Sequence, residues 1–249
     1  MPLEAPLAPA SERAAELNAR YRNHAAVDVL RHALTDPQVG STALVSSFGA
    51  ESVVLLHLLS TLDRTVPVIF LDTEMLFPET KAYQKELADR LGLTVRVTGP
   101  DRAQLLEQDP DALLYRRDPD ACCAMRKSEP LEQALGGFDA WITGRKRVQG
   151  GARASLEFFE ADESNRIKIN PLAHFTLQDI QDYITNNRLP RHPLVARGFA
   201  SIGCAPCTTK TKPGEDPRAG RWRGQDKTEC GIHFENGKLV RTTSAEAHK

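Results

Sequence analysis

The sequence has neither a strong net charge nor a long apolar run. Its 249 residues carry 32 Lys and Arg against 33 Asp and Glu, a formal net charge of −1, so no overall field draws the protein to nucleic acid or to a membrane. No apolar run approaches the roughly 20 residues that a helix needs to span a bilayer. The first residues lack a basic start followed by an apolar stretch, so we expect no secretory signal. These absences predict a cytoplasmic protein with no nucleic acid or membrane partner.

Cysteine is also scarce, and its five positions make a poor disulfide framework. Cys122 and Cys123 are adjacent, and Cys204, Cys207 and Cys230 complete the set. A bridge between neighbours is strained, because a disulfide prefers a larger separation of its α-carbons than one peptide step gives. The count is odd, and a reducing compartment disfavours disulfides. Metal binding and catalysis are therefore the better interpretations.

Strand-like and helix-like segments alternate along the chain, and its 41% hydrophobic content suffices for a large α/β core. Such alternation favours a parallel sheet built from βαβ units. Ligands bind beyond the carboxyl ends of such strands, so SSFGAES, LDT and TGRKR should share one sheet edge. We predict strands over 42–47, 67–73, 93–97, 139–144 and 156–161, and helices over 11–36, 52–60, 77–92 and 176–187.

The texture of the sequence changes after about residue 208. The remainder is polar, is rich in Gly and Pro, and has no sustained hydrophobic period. Such composition is typical of a mobile tail. We therefore predict an N-terminal leader and helix over 1–40, an α/β domain over 41–207 and a flexible tail over 208–249.

The stretch SSFGAES (46–52) joins the first predicted strand to a helix. A Gly-containing turn at a helix start points backbone N–H groups at an anion, and Ser46, Ser47 and Ser52 add hydroxyl groups. The stretch is neither a Walker loop nor a GxGxxG motif. It is a candidate anion site, although an ordinary strand-to-helix connection explains the same pattern.

A second candidate is the basic loop GRKRVQGGAR (144–153). Arg145, Lys146, Arg147 and Arg153 stand there with no acidic residue among them. Guanidinium groups suit bidentate contact with phosphate or sulfate oxygens. A solvated surface loop is the commoner fate of such a run, but its expected place on the same sheet edge favours binding.

The stretch GCAPCTTK (203–210) allows three interpretations. A thioredoxin-type redox pair should open a helix after an early strand, whereas this CxxC comes late. A structural zinc site usually draws on two spaced knuckles, which the adjacent Cys122 and Cys123 do not form. A [4Fe–4S] cluster can be held by four thiolates in two pairs, with Cys204 and Cys207 as the second pair.

Lys127 and Cys230 are further candidates for chemistry. Lys127 stands about one helical turn after Cys123 and could lie near both a cluster and an anionic substrate, although a solvent-facing residue is the plain alternative. Cys230 lies in TECGIHF, three residues before His233. A thiol near cations or an imidazole has a lowered pKa and can act as a nucleophile, whereas a single tail cysteine is more often incidental.

SSFGAES resembles the PP-loop of the adenine-nucleotide α-hydrolase superfamily, usually written SGGxDS, from which Phe48, Ala50 and Glu51 depart. Together with LDTEMLFPET, CCAMRK, GRKR, GCAPCT and ECGIH, it makes residues 40–235 resemble the assimilatory adenylyl-sulfate (adenosine 5′-phosphosulfate, APS) reductase family. The resemblance implies a Rossmann-like fold with helices on both faces. It also implies a [4Fe–4S] cluster on Cys122, Cys123, Cys204 and Cys207.

The family's reaction is the reduction of APS to sulfite and AMP in assimilatory sulfate reduction, which leads to cysteine. The resemblance implies an S-sulfocysteine intermediate on Cys230, resolved by thioredoxin or glutaredoxin, with Lys127 and His233 as further catalytic residues. It implies substrate contacts from Ser46, Ser47, Gly49, Ser52, Leu71, Asp72, Thr73, Gly144, Arg153, Arg218 and Arg221.

Three alternatives stay open from the sequence. The first is an ATP-using adenylyl transferase of the same superfamily, such as a tRNA-thiolating enzyme, against which the departures from SGGxDS argue. The second is a non-catalytic iron–sulfur sensor or nucleotide-binding regulator, which would have no need of Cys230. The third is reduction of the 3′-phosphorylated substrate (PAPS), alone or alongside APS. The sequence does not fix the oligomeric state, and a homo-oligomer is one option.

Overall fold

A six-stranded sheet forms the centre of the protein. The computed structural model describes residues 7–225, 227 and 229. In chain order the strands are β1 (Thr42–Ser46), β2 (Val68–Leu71), β3 (Val95–Thr98), β4 (Ala140–Ile142), β5 (Phe159–Ala161) and β6 (Ile167–Ile169). Across the sheet they lie in the order β3-β2-β1-β4-β6-β5.

All neighbouring strands run parallel except β5, which pairs antiparallel with β6. From β1 the chain moves outward through β2 and β3 and then crosses to β4 on the other side of β1. This reversal of strand order leaves a crevice beyond the carboxyl ends of β1 and β4, where parallel α/β sheets bind their ligands. Strands β2, β4 and β6 are buried along their whole length, as expected for a sheet covered on both faces.

Helices cover both faces of this sheet. They are α1 (Ala10–Tyr21), α2 (Ala26–Ala33), α3 (Ser52–Leu62), α4 (Pro78–Leu91), α5 (Arg102–Gln108), α6 (Leu114–Arg117), α7 (Pro119–Cys123), α8 (Glu129–Ala134) and α9 (Leu177–Asn186). Successive strand residues point to opposite faces: Leu44 joins the larger core with α1–α4 and α9, and Val45 joins a smaller core with Leu131 of α8. The predicted mostly parallel α/β fold with helices on both faces is confirmed.

Local signals placed several helix boundaries correctly. Helix α4 begins at Pro78 and ends before Gly92, whose φ of 64° is left-handed and suits glycine at a helix end. Helix α9 begins after Thr176, whose side chain accepts a hydrogen bond from the Asp179 backbone while Asp179 reaches back to Thr176. This reciprocal pair is a capping box.

Three short elements differ from the sequence prediction. The single helix predicted over 11–36 is two helices separated by a turn at 22–25, and Asn18 of the first exchanges hydrogen bonds with the Phe159 backbone of β5. Strand β6 was not predicted, because a three-residue strand gives almost no periodic signal. The strand predicted over 156–161 is confined to Phe159–Ala161.

The stretch 208–225 folds back against the domain. Thr208 pairs with Arg221 in an isolated β-bridge, and Trp222 is only 3% exposed. The domain boundary at 208 and the mobility of the tail stay predictions. Within the described part of the chain, no helix has the length and apolar character to cross a membrane.

Candidate active site

The loop 46–52 connects β1 to α3 through a strained residue. Phe48 has a φ of 47°, in the left-handed region that favours glycine, and it occupies the place of the first glycine in SGGxDS. Its ring is fully buried and lies edge-on to Phe70 at 5.2 Å between centroids. Its backbone N–H donates to Ser46 Oγ at 3.1 Å. Burial of the ring therefore stabilises a conformation that a side chain otherwise disfavours.

Helix α3 presents its amino end to the crevice. Its N-cap residue, Glu51, makes no side-chain cap, and the N–H groups of Ser52 and Val54 donate to the Gly49 and Glu51 carbonyls, both at 3.3 Å. The positive end of the helix dipole still faces the cavity, where it favours an anion. Ser52 Oγ accepts a hydrogen bond from the Gly49 N–H at 2.9 Å, which fixes the turn. The carboxylate of Glu51 pairs with Lys146 Nζ at 2.9 Å, which joins this turn to the basic loop.

A cavity of about 220 Å³ opens at this sheet edge. Every substrate contact implied by the resemblance lines it except Asp72; these are Ser46, Ser47, Gly49, Ser52, Leu71, Thr73, Gly144, Arg153, Arg218 and Arg221. Lys127 and Cys204 line it as well. Asp72 is engaged elsewhere: its carboxylate pairs with Lys81 at 2.7 Å and accepts from the Glu74 N–H.

The cations of the basic loop have different surroundings. Arg145 is buried and pairs with Glu160, and burial lowers its pKa. Arg147 points away from the cavity and contacts the Leu156 carbonyl and Glu157. Arg153 lines the cavity and is only 6% exposed. The sequence identified the loop, but not which of its cations are held in structural ion pairs.

Glu229 was not among the predicted site residues, yet its carboxylate contacts two arginines that line the cavity. Its two carboxylate oxygens accept from Arg153 Nε and Nη2, both at 2.6 Å, and Arg218 Nη2 lies 3.4 Å away. The available sequence signal was an acidic residue directly before Cys230, separated from Arg153 by 76 positions. Cys230 and His233 lie outside the described residues.

Four cysteines come together beside the cavity, in two pairs. Helix α7 carries Cys122 and Cys123 and is capped by Asp118, which accepts from two backbone N–H groups. The second pair lies in a single 3₁₀ turn that starts after Cys204 and ends at Cys207. Each of these four cysteines is reduced rather than disulfide-bonded. The structure places the two pairs near each other, and their assignment as cluster ligands stays a prediction.

Charge interactions between the thiols show that they are close. The pKa of Cys122 is raised to about 12, mainly by burial and also by the charges of Cys123, Cys204 and Cys207, whereas Arg126 opposes the shift. Burial and Cys204 raise the pKa of Cys207 to about 11, against the opposing charge of Lys127. The CxxC comes after β6 and lies in a 3₁₀ turn rather than at the start of an α-helix, which argues against the thioredoxin-type interpretation.

Four thiols in two pairs are a donor set that a [4Fe–4S] cluster uses. Among residues 7–225, 227 and 229, no group of three or more His, Cys, Asp or Glu side chains is arranged to hold a metal ion. Metal binding would ionise thiols that are otherwise protonated.

Unpartnered donors surround the same thiols. Arg126 Nε, Arg221 Nε and Trp222 Nε1 are buried without a hydrogen-bond partner. Arg126 and Arg221 act electrostatically on Cys122 and Cys207, and the Trp222 backbone N–H donates to the Cys207 carbonyl at 3.1 Å. Hydrogen bonds to the sulfurs tune iron–sulfur clusters. The residues present therefore fit the [4Fe–4S] group.

A π-helical turn places Lys127 between the thiols and the cavity. The turn runs from Ala124 to Ser128, directly after α7, and such turns are frequent at functional sites. Pro130 lacks the N–H that an α-helix would need for its next hydrogen bond. Lys127 lines the cavity and opposes the raised pKa of Cys207.

The preceding residue, Arg126, anchors this turn. Its guanidinium donates to the Thr73 carbonyl at 2.9 Å and to Asp109 Oδ2 at 2.7 Å. Both charged side chains are buried, so each depends on the other for compensation. The sequence prediction missed this pair because Asp109 lies outside every motif, 17 positions before Arg126 of CCAMRK.

The segment before Cys230 is fastened to the domain at several points. The Arg221 guanidinium stacks on the Trp222 ring at 4.4 Å, and Lys227 pairs with Asp120, two residues before Cys122. A Cβ at position 203 would lie 2.3 Å from Arg221 Nη2, so a larger residue there would displace the guanidinium. These contacts bring Arg218 and Arg221 to the cavity.

The family model and the sequence relatives agree on one family. The phosphoadenosine phosphosulfate reductase domain matches residues 41–210. Adenosine 5′-phosphosulfate reductase of Mesorhizobium japonicum is 47% identical over 94% of this chain and 91% of its own, and that of Chelativorans sp. is 48% identical over 89% and 91%. The crystal structure of phosphoadenylyl-sulfate (PAPS) reductase from Candida auris, a phosphate complex, has a TM-score of 0.71 at 26% identity. It covers 83% of this chain and 100% of that one.

Proposed function

Because the chain belongs to the phosphoadenosine phosphosulfate reductase family, we propose that it reduces APS to sulfite and AMP in assimilatory sulfate reduction. The relatives that are 41–48% identical are named adenosine 5′-phosphosulfate reductases, which favours APS as the substrate. They also favour an enzyme over the non-catalytic regulator. The departures from SGGxDS argue against an ATP-using transferase.

One observation of the site supports this proposal most. The cavity brings together a helix amino end, a serine-rich loop and the cations Lys127, Arg153, Arg218 and Arg221. Phosphate and sulfate oxygens match both kinds of donor. The strand end at Leu71 and Gly144 offers backbone groups to the adenosine. A phosphosulfate ester with a purine nucleoside satisfies both halves of this lining.

The proposed nucleophile is the Cys230 thiolate. It attacks the sulfur of APS, the S–O bond to AMP breaks, and AMP leaves with the electron pair. The product is an S-sulfocysteine on the enzyme. A thiolate and a sulfuryl group repel each other, so preorganised positive charge lowers the barrier. Lys127 and the three arginines supply that charge, and His233 is proposed to contribute as a proton donor or cation.

The second half-reaction consumes a dithiol. A thiolate of thioredoxin or glutaredoxin attacks the Cys230 sulfur, sulfite leaves with the S–S electron pair, and a mixed disulfide forms. The second thiol of the same protein then resolves the mixed disulfide. The two electrons that reduce sulfate to sulfite therefore come from the dithiol, and Cys230 returns as a thiolate.

We propose that Cys122, Cys123, Cys204 and Cys207 hold the [4Fe–4S] cluster. When bound, the cluster supplies a covalent link between α7 and the turn at 203–208 and a fixed charge next to the cavity. The protein's own part is to hold Lys127 and Arg221 between these thiols and the substrate.

Sulfite and AMP release tests the proposed function. Purified protein with reduced thioredoxin should release both products from APS in equal amounts. PAPS is the alternative substrate, because the structural relative from Candida auris is named a PAPS reductase. Turnover of PAPS alone would keep the reaction and replace the substrate. Turnover of neither, with AMP formed from ATP instead, would contradict the proposal.

A further inference from the structure

All three nitrogens of the Arg153 guanidinium are already engaged. The Nε–Nη2 edge donates to both oxygens of Glu229, and Nη1 donates to Gln149 Oε1. This two-point geometry is the strong form of an arginine–carboxylate contact. Arg153 is 8% exposed and Glu229 is 15% exposed at the side chain, so water weakens the pair less than it would at the surface.

Arg218 also contributes to this contact. Its Nη2 lies 3.4 Å from Glu229 Oε2, and both arginines line the cavity. Carboxylate, sulfate and phosphate present the same paired oxygens to a guanidinium fork. Glu229 therefore holds the donors that an anionic ligand of the cavity needs.

We propose that the Glu229 carboxylate competes, within the protein, with the substrate's anionic group for Arg153 and Arg218. An oxyanion can take the Nε–Nη2 edge only after the carboxylate has left it. Substrate binding then frees the chain that leads into Cys230, the next residue. Naming APS as the displacing ligand rests on the proposed function, whereas the competition itself requires only an oxyanion.

The contact between Glu229 and Arg153 is independent of the other contacts that hold residues 218–229 against the domain. Lys227 stays paired with Asp120, and Trp222 stays buried, without any contribution from Glu229. Removing the charge of Glu229 should therefore leave the fold of the segment intact. Thermodynamic linkage makes the competition reciprocal. The Glu229 contact lowers the affinity of the ligand, and bound ligand weakens the Glu229 contact by the same free energy.

Calorimetric titration with APS tests the proposal in a Cys230→Ser background, where no transfer follows binding. Glu229→Gln should tighten APS binding about tenfold or more, because a charge-assisted contact no longer competes. The matched control is Glu215→Gln, which removes a carboxylate paired with Arg223 in the same stretch but outside the cavity lining. That variant should bind APS like its parent.

Two simpler ligands show whether the gain in affinity arises where an oxyanion contacts Arg153 and Arg218. Inorganic sulfate should also bind more tightly to Glu229→Gln, whereas uncharged adenosine should bind equally to both proteins. Tightening for sulfate with no APS binding to either protein would contradict the proposed function and support the competition. APS binding that is equal, or weaker, in Glu229→Gln would overturn the competition, as would an equal gain for adenosine.

A measurement on the unsubstituted protein covers the case in which Glu229→Gln does not fold. Excess inorganic sulfate should raise the rate at which iodoacetamide alkylates Cys230, because the anion displaces Glu229. Potassium chloride at matched ionic strength is the control. A rate that sulfate does not change beyond the control would contradict release of the segment.

Discussion

The two ends of the cavity are assembled in different ways. One end, at the carboxyl edge of β1, is a continuous stretch in which β1, the loop 46–52 and α3 follow one another. The other end joins parts far apart in the chain: Thr73 meets Cys204 across 131 positions, and Asp120 meets Lys227 across 107. Local geometry therefore suffices for the first end, whereas the second depends on long-range pairs and on whatever the thiols bind.

The largest expected effect is on turnover and comes from the residue that follows Glu229. Cys230→Ser should reduce sulfite release to the background rate, because an alcohol at neutral pH cannot replace the thiolate as nucleophile. Iron content and APS affinity should stay unchanged, since neither is proposed to involve Cys230. Turnover retained in this variant would refute the assignment of the nucleophile.

Cys204→Ser tests whether the proposed cluster holds the second end together. One of four thiolate ligands is lost, so we expect loss of the iron and of its visible absorption, together with a lower thermal midpoint. Iron analysis and an absorption spectrum measure this directly. Cys230→Ser serves as the matched control, and an unchanged iron content in Cys204→Ser would rule out the ligand assignment.

Phe48→Ala tests the first end. Loss of a fully buried ring should cost about 3–5 kcal/mol of unfolding free energy, while iron stays bound to the folded protein. Phe48→Gly loses the same ring but relieves the left-handed strain, so it should be about 1–2 kcal/mol more stable than Phe48→Ala. Denaturant unfolding measures both. Equal stabilities would show that the backbone at residue 48 is not strained.

The smallest effect is a pH dependence of the iron-free protein. Burial raises the pKa of Cys122 from 9.0 to about 12 in the folded state, so the folded state retains a proton that the unfolded state loses. The unfolding free energy should therefore fall as pH rises from 9 towards 12. Cys122→Ala should flatten this fall. A stability that stays constant over that range in the iron-free parent would contradict the buried, protonated thiol.

The same contrast explains what could be predicted from the sequence. The parallel sheet and the loop 46–52 follow from local alternation and turn residues. Contacts between distant stretches of the chain carry no periodic signal. Such contacts pair Arg126 with Asp109 and place Glu229 against Arg153. Asp72 was predicted as a substrate contact from the family resemblance; in the structure its carboxylate pairs with Lys81 of α4, a contact that the motif does not reveal.

Intact mass is the measurement that tests the central claim most directly. Anaerobically purified protein is mixed with APS in the absence of any reductant, beside the Cys230→Ser variant. We predict the gain of one SO₃ group on the unsubstituted protein alone, with an equal amount of AMP in solution. AMP release without a protein adduct, or an adduct that persists in Cys230→Ser, would contradict transfer of the sulfuryl group to Cys230.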